Sequence, residues 1–310
     1  MQGQERKHDR PVGVVVVNWN NYEDTAECLD SLADLSYPLY RVTVVDNGST
    51  DGSGQRLDEE FEWCDVVFNE SNRGFGGGCN TGIDHLLAHD VEFVMLLNND
   101  AVVAPDTLDE LVGVASESGA GVVGASIRHG SGAVVNASPS RHPDMFFYSG
   151  YRDNLPASLS EGESHNQRWW TTDRVEGGGV LLASDLLRER EKTVGYYLDD
   201  SLFMYCEEIE LAMWCRERGE KAVVATEARV EHDTGASSSR AFQLYYLTRN
   251  RVLIARRYLE GVTRLFFELL YPVTRVLLAG RFVKRGRRDV AGAIVDGLVD
   301  GYRGVKGKVR

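Results

Sequence analysis

Short unbroken apolar runs alternate along the chain with stretches of helical spacing. Residues 12–17 form a continuous valine-rich run, as expected of a strand buried on both faces of a parallel sheet. Asn18-Trp19-Asn20-Asn21 ends it. Asp24 and Glu27 then have capping-box spacing, and Leu29, Leu32 and Ala33 give a helical face as far as Leu35. Residues 41–45 and 65–68 predict second and third strands, and Phe93 opens a fourth. Apolar segments at 119–127, 175–183 and 222–225 predict further strands, the second with Gly177-Gly178-Gly179 allowing a close approach. Helices are predicted at about 79–89, from Pro105, and from Glu207 to a closing Gly219. This alternation at short spacing predicts an α/β protein with a doubly wound, mostly parallel sheet flanked by helices.

In such a sheet, ligands sit outside the carboxyl ends of the strands. Three predicted strands end there in polar residues: Asn18, then Asp46 with its turn residues, then Asn98-Asn99-Asp100 after 93–97. Asn and Asp favour turns for their own sake. A carboxylate at such a position is also well placed to hold a divalent cation and, through it, a diphosphate. The loop Asn72-Arg73-Gly74-Phe75-Gly76-Gly77-Gly78 lacks the third glycine of the dinucleotide fingerprint, and no P-loop exists in the chain. It reads as a flexible loop or as glycines letting backbone approach a base, ribose or phosphate.

A second chemical cluster is Glu207-Glu208-Ile209-Glu210. Three glutamates in a first turn suit the helix dipole, and one of them aimed into the crevice would be a general base. His232, after the strand at 222–225, reads as a structural histidine or a ligand. Residues 128–172 are poorly periodic and contain Trp169-Trp170, and a loop region that long is usually functional or mobile.

Charge changes the picture at the end of the chain. Residues 240–310 carry 16 Lys/Arg against 5 Asp/Glu, while the whole 310-residue chain has a formal charge of −13. The acidic remainder argues against nucleic-acid binding, which needs a basic face. Five scattered cysteines without a Cys-x-x-Cys pair read as thiols of a reducing compartment. No signal peptide is expected at the N-terminus, and no spanning helix. Six lysines beside 28 arginines and many carboxylates would suit a high-salt cytoplasm.

In order, these stretches resemble the inverting family-2 glycosyltransferases of the GT-A fold, particularly the rhamnosyltransferase-like branch. Carrying the resemblance are Val15-Val16-Val17-Asn18-Trp19-Asn20, Val44-Val45-Asp46-Asn47-Gly48-Ser49-Thr50-Asp51, Asn72-Arg73-Gly74-Phe75-Gly76 and Leu97-Asn98-Asn99-Asp100. Glu176-Gly177-Gly178-Gly179, Phe203-Met204-Tyr205-Cys206-Glu207-Glu208-Ile209-Glu210 and His232 complete the set, which covers about residues 12–258. The resemblance implies transfer of rhamnose or a hexose from a UDP- or dTDP-sugar to a hydroxyl of a glycan acceptor, often lipid-linked, in cell-surface polysaccharide or glycoprotein glycan assembly. By likeness, Asp46 contacts the base or ribose beside Asn18, and Asn72, Gly74 and Gly76 line the same pocket. Asn98 and Asn99 stand with Asp100 where the family has its Asp-x-Asp motif, so Asp100 is the charged member and His232 a further ligand for Mn²⁺ or Mg²⁺. Glu208 replaces the aspartate expected to deprotonate the acceptor, with Glu207 able to share the task. Asp199, Asp200 and Glu176 are candidate acceptor-side carboxylates. The other classes are a non-catalytic nucleotide-sugar-binding or scaffold subunit and a sugar nucleotidyltransferase. The latter would want a basic Gly-rich loop where Asn18-Trp19-Asn20-Asn21 stands.

This divides the chain into a catalytic domain at 1–239 and a basic helical region at 240–310. Cations beside apolar helical stretches that are too short to span predict an interfacial membrane element on an anionic inner leaflet. Packing back on the acidic body, or a dimer contact, is the alternative. The expected location is therefore cytoplasmic, peripheral on the membrane's inner face.

Overall fold

A computed structural model describes residues 9–128, 134–135, 167–232 and 238–309. The first half is built of β1 (Val12–Asn18), α1 (Tyr22–Ala33), β2 (Tyr40–Asp46), α2 (Ser53–Glu60), β3 (Asp65–Phe68) and α3 (Gly74–Leu87). There follow β4 (Phe93–Leu97), β5 (Ala101–Val103), α4 (Thr107–Ser118) and β6 (Val122–Arg128). After β7 (Val134–Val135), the chain continues with β8 (Trp169–Thr172), β9 (Gly179–Ala183), α5 (Ser184–Val194), α6 (Glu207–Arg218) and β10 (Ala222–His232). Three helices close it: α7 (Arg240–Tyr258), α8 (Gly261–Lys284) and α9 (Arg288–Arg303).

One sheet runs in the order β3-β2-β1-β4-β9-β6-β10-β5, with β7 on β6 and β8 on β10. β3, β2, β1 and β4 are parallel neighbours, as are β6 and β10, whereas β9 runs against both β4 and β6. The mostly parallel α/β sheet with C-terminal helices is thus as predicted. An unbroken run such as 179–183 looks the same in either direction, so the reversal of β9 has no sequence mark. The sheet is buried on both faces: Val14 and Val16 join one core cluster, and Val15, Val45 and Leu96 join another with α3.

Four local readings are corrected. The glycine stretch at 74–78 is the first turns of α3, not a loop before it, because α3 lies directly on β1. A Cβ on Gly78 would stand 2.8 Å from Val17 Cγ1, and one on Gly82 2.6 Å from Val15 Cγ1. Asp24 does not cap α1; instead it accepts a 2.7 Å hydrogen bond from Asn21 Nδ2. Trp169–Thr172 is an edge strand beside β10, and most of the rest of the poorly periodic 128–172 segment, 129–133 and 136–166, lies outside the described residues. The strand ending at His232 extends the predicted one to 11 residues.

The boundary at 239/240 marks a change in composition and no break in packing. Val252, Ile254 and Ala255 of α7 and Phe267 and Tyr271 of α8 share a core cluster with Leu202, Cys206, Ile209 and Met213. Arg249, Arg251 and Arg275 are buried.

Candidate functional site

Parallel register sets the last residue of β1 opposite the last residue of β2, pairing Asn18 with Asp46. Asn18 Nδ2 lies 2.9 Å from Asp46 Oδ1, and the Ser49 N–H donates to Asp46 Oδ2 at 3.1 Å. Each oxygen of this buried carboxylate therefore has a donor, as burial requires. Asn47 organises the adjoining loop. Its Oδ1 accepts from Asn69 Nδ2 (3.0 Å) and Arg73 N–H (3.1 Å), and its Nδ2 donates to Gly74 O at 2.9 Å. Asn72 Oδ1 accepts the Gly74 N–H at 2.8 Å. Gly74 sits at φ +75°, where a Cβ would come 1.9 Å from Phe203 O; that position admits only glycine. Asn72 and Gly74 are thus brought beside the Asn18–Asp46 pair through Asn47, whereas Gly76 faces Glu207 and the Asp199 carbonyl, 3.5 and 3.6 Å from where its Cβ would stand. The one sequence signal that Asn47 carries is its place just after a strand end.

From there polar contacts run to the end of β4. Thr25 Oγ1 stands 3.1 Å from Asn18 Oδ1 and receives a hydrogen bond from Asn99 Nδ2 at 3.0 Å. Beyond Asn99, Asp100 Oδ1 lies 2.9 Å from His232 Nε2, and Asn98 Nδ2 lies 3.0 Å from the same nitrogen. The antiparallel pairing of β5 with β10, which sets His232 opposite Ala101, makes this convergence. One carboxylate oxygen, one imidazole nitrogen and an amide are hard and borderline donors that fit Mg²⁺ or Mn²⁺. Among the described residues no cluster of three or more His, Cys, Asp and Glu side chains stands ready for a metal. The fit is therefore to a cation completed by other oxygens, as Mg²⁺ is by substrate phosphates.

The glutamates of α6 diverge. Glu210 is fully buried in a network with Arg190, with Arg257 Nη1 at 3.3 Å and with Tyr258 OH at 2.5 Å. It is structural. Glu207 is also buried; its Oε1 has no hydrogen-bond partner among the described residues, and its Cγ would be 3.5 Å from a Cβ on Gly76. Burial, then the Glu208 and Asp199 charges, push the Glu207 carboxyl up to about 8, so it holds its proton at neutral pH. Glu208 is half-buried and is also raised by burial; Arg174 opposes that shift and Glu176 adds to it. Arg174 Nη2 pairs with Glu176 at 2.5 Å. Two residues on, a Cβ on Gly178 would stand 3.8 Å from Asn98 Nδ2 and 3.9 Å from His232 Cδ2. The 174–178 segment thus links Glu208 to the Asp100–His232 pair. Asp199 is not free to meet an acceptor: it is buried and paired with Arg257 Nη1 at 2.7 Å. Asp200 is exposed, 3.8 Å from Arg73.

Residues 203–206, which lead into α6, hold an uncommon backbone. Phe203, Tyr205 and Cys206 have φ of 66°, 66° and 76°, a conformation worth about 1–3 kcal/mol of strain each. Asn250 of α7 holds them, donating from Nδ2 to Met204 O and Tyr205 O, both at 2.8 Å, and lying 3.1 Å from Leu202 O. Arg249 Nη2 adds a bond to Leu202 O at 2.7 Å. Arg249 and Arg257 belong to the cation-rich stretch expected at a membrane surface, yet they reach inward, and nothing in the spacing of α7 singles out Asn250.

The family model described as Glycosyl transferase family 2 matches residues 13–180. A low-salt glycan biosynthesis hexosyltransferase, Agl10 of Haloferax volcanii, is 25% identical over 284 residues, covering 88% of this chain and 84% of its own. An N-acetylglucosaminyl-diphospho-decaprenol L-rhamnosyltransferase of Mycobacterium tuberculosis is 30% identical over 231 residues, 67% of this chain and 72% of its own. Among solved structures, a mannosyltransferase of Pyrobaculum calidifontis in complex with GDP-mannose and Mn²⁺ superposes with a TM-score of 0.60. It covers 94% of this chain and 87% of its own at 16% identity, a likeness of fold.

Proposed function

The chain belongs to glycosyl transferase family 2 and is a glycosyltransferase of glycan assembly, and we propose that it is a metal-dependent, inverting enzyme using a nucleoside diphosphate-sugar. The observation that carries this reading is the convergence of Asp100, Asn98 and His232 at the strand ends, 2.9–3.0 Å apart, beyond the Asn18–Asp46 pair. Asp46 and Asn18 would hold the nucleoside, with Asn72, Gly74 and Gly76 walling the pocket and Asn99 tying it to Asp100. Asp100 and His232 would hold Mn²⁺ or Mg²⁺, with Asn98 as a neutral neighbour. A bound divalent ion supplies neutralisation of the charge that builds on a departing diphosphate.

Glu208 is the base in this reading. Glu207 is buried with its carboxyl pushed up to about 8, whereas Glu208 is partly open, so an acceptor hydroxyl can reach it, and reach is the first requirement of a general base. Burial raises the Glu208 carboxyl, and the Arg174 charge opposes that rise. Glu208 would accept the acceptor hydroxyl's proton as that oxygen attacks the anomeric carbon opposite the diphosphate, inverting its configuration.

One relative is named for a decaprenol-linked substrate, which favours a lipid-linked glycan acceptor; a uridine or thymidine diphosphate donor and work at the cytoplasmic face of a membrane are further parts of the proposal. Turnover of UDP-, dTDP- and GDP-sugars by wild type and Glu208→Gln tests the assignment. Release of nucleoside diphosphate by wild type only, with Mn²⁺ or Mg²⁺ and not with EDTA, is expected. Absence of turnover with every donor would turn the reading to a non-catalytic binding subunit.

A further inference from the structure

α8 presents two unlike faces. Phe267, Tyr271, Arg275 and Ala279, spaced by four, are buried against the body. On the opposite side Leu265, Phe266, Leu269, Leu270, Val276 and Leu277 are each between 51 and 65% exposed. No charged residue interrupts that face between 262 and 280, because Arg264, Glu268 and Arg275 all project from the other side of the wheel at 100° per residue. Monomeric proteins rarely leave a contiguous apolar surface of this length, about 28 Å at 1.5 Å per residue, in water. Val295 and Val299 of α9 are exposed as well.

The helix cannot cross a bilayer: no described helix is long and apolar enough to do so. At its C-terminal end the charge becomes strongly positive. Residues 281–288 contain Arg281, Lys284, Arg285, Arg287 and Arg288, all exposed, with Asp289 as the adjoining acid. An anionic bilayer offers both parts of the complement, hydrocarbon for the stripe and phosphate headgroups for the cations. A second copy of this chain would bring the same cations and no acidic group on the stripe to meet them.

We propose that the exposed face of α8, together with the cations at 281–288, is a docking surface for an anionic lipid bilayer, on which the helix lies in the interface plane. Its placement has a consequence for the active site. Phe267 and Tyr271, on the reverse of the same helix, share a core cluster with Leu202, Cys206 and Ile209, the segment that leads into Glu207 and Glu208. The surface that meets lipid is therefore one helix thickness from the base. The use of this surface for a lipid-linked acceptor rests on the function proposed above; the surface itself does not.

The test is flotation of the full chain with phosphatidylglycerol–phosphatidylcholine vesicles and with pure phosphatidylcholine vesicles, at low salt. Wild type is compared with Leu269→Glu/Leu277→Glu and with Lys284→Glu/Arg285→Glu. All four side chains project into solvent, so both variants should melt like wild type. Wild type should float with the anionic vesicles, and each variant should partition at least about tenfold less. Undiminished flotation of the leucine variant would overturn the proposal, as would no binding of wild type to either vesicle. A dimer in light scattering that the leucine substitutions dissociate, without vesicle binding, would assign the face to a second copy and overturn it equally. Nucleotide-induced thermal shifts, measured on the same samples, report on the proposed function separately: their loss would count against that function and not against the docking surface.

Discussion

The side-chain nitrogen of Asn250 lies 2.8 Å from the carbonyl oxygen of Tyr205, and through this bond α7 fixes the segment that delivers Glu207 and Glu208. The two residues are 45 apart in the chain. Replacing Asn250 by Ala leaves the Met204 and Tyr205 carbonyls without their donor and should cost about 1–3 kcal/mol of stability. It should also lower kcat while leaving nucleotide affinity close to wild type, because the proposed nucleoside contacts lie on β1, β2 and the start of α3. Denaturant unfolding and steady-state kinetics on the one variant check both statements.

Gly74→Ala should be more damaging at the donor site. The new Cβ would have to enter the space of Phe203 O at φ +75°, so backbone must move on both sides. Nucleotide binding should weaken at least about tenfold, since a shift of this kind costs on the order of 1–3 kcal/mol. Isothermal titration with a nucleoside diphosphate reads it directly.

The buried Glu207 carboxyl gives the fold a pH dependence of known sign. Its folded-state value of about 8 lies above the ordinary glutamate range near 4.3, so between these the folded chain binds the extra proton. Its contribution is fully present below about pH 4 and is lost as pH rises through about 8. Relative to Glu207→Gln, wild type should lose stability with a slope approaching about 1.4 kcal/mol per pH unit between about pH 5 and 7.5. Urea unfolding at a series of pH values measures this, and parallel curves for the two proteins would contradict it.

Arg257→Ala should leave Asp199 and Glu210 as under-compensated buried carboxylates. Breaking a buried pair of this kind costs about 3 kcal/mol, and an intact melting temperature would show that the network has another support.

What the sequence could and could not convey follows from which contacts are local. Asn18, Asp46 and Asn98-Asn99-Asp100 were legible because each ends an apolar run, and strand ends in such a sheet meet at one edge. Glu207, Glu208 and Glu210 look alike in sequence. Glu210 is separated from the others by Arg190 and by Arg257 and Tyr258, the last two arriving from a helix that composition had set apart as a basic tail. Arg249 is surrounded by Tyr245, Tyr246 and carbonyl oxygens and buried, so a cation count placed on the surface what belongs to the core. His232 was legible only through the family resemblance. What sets it against Asp100 is the pairing of the three-residue β5 with β10, and a strand that short leaves no periodicity.

The most direct measurement is a thermal-shift screen of UDP, dTDP and GDP, each with Mn²⁺, Mg²⁺ or EDTA, on wild type and Asp100→Ala. At about 100-fold excess over Kd a ligand stabilises by about 2.7 kcal/mol, a readable shift. One diphosphate should raise the melting temperature of wild type with metal, and neither EDTA nor Asp100→Ala should retain the effect. A shift of equal size in EDTA or in Asp100→Ala, or none with any nucleotide, would contradict a metal–diphosphate site at Asp100 and His232.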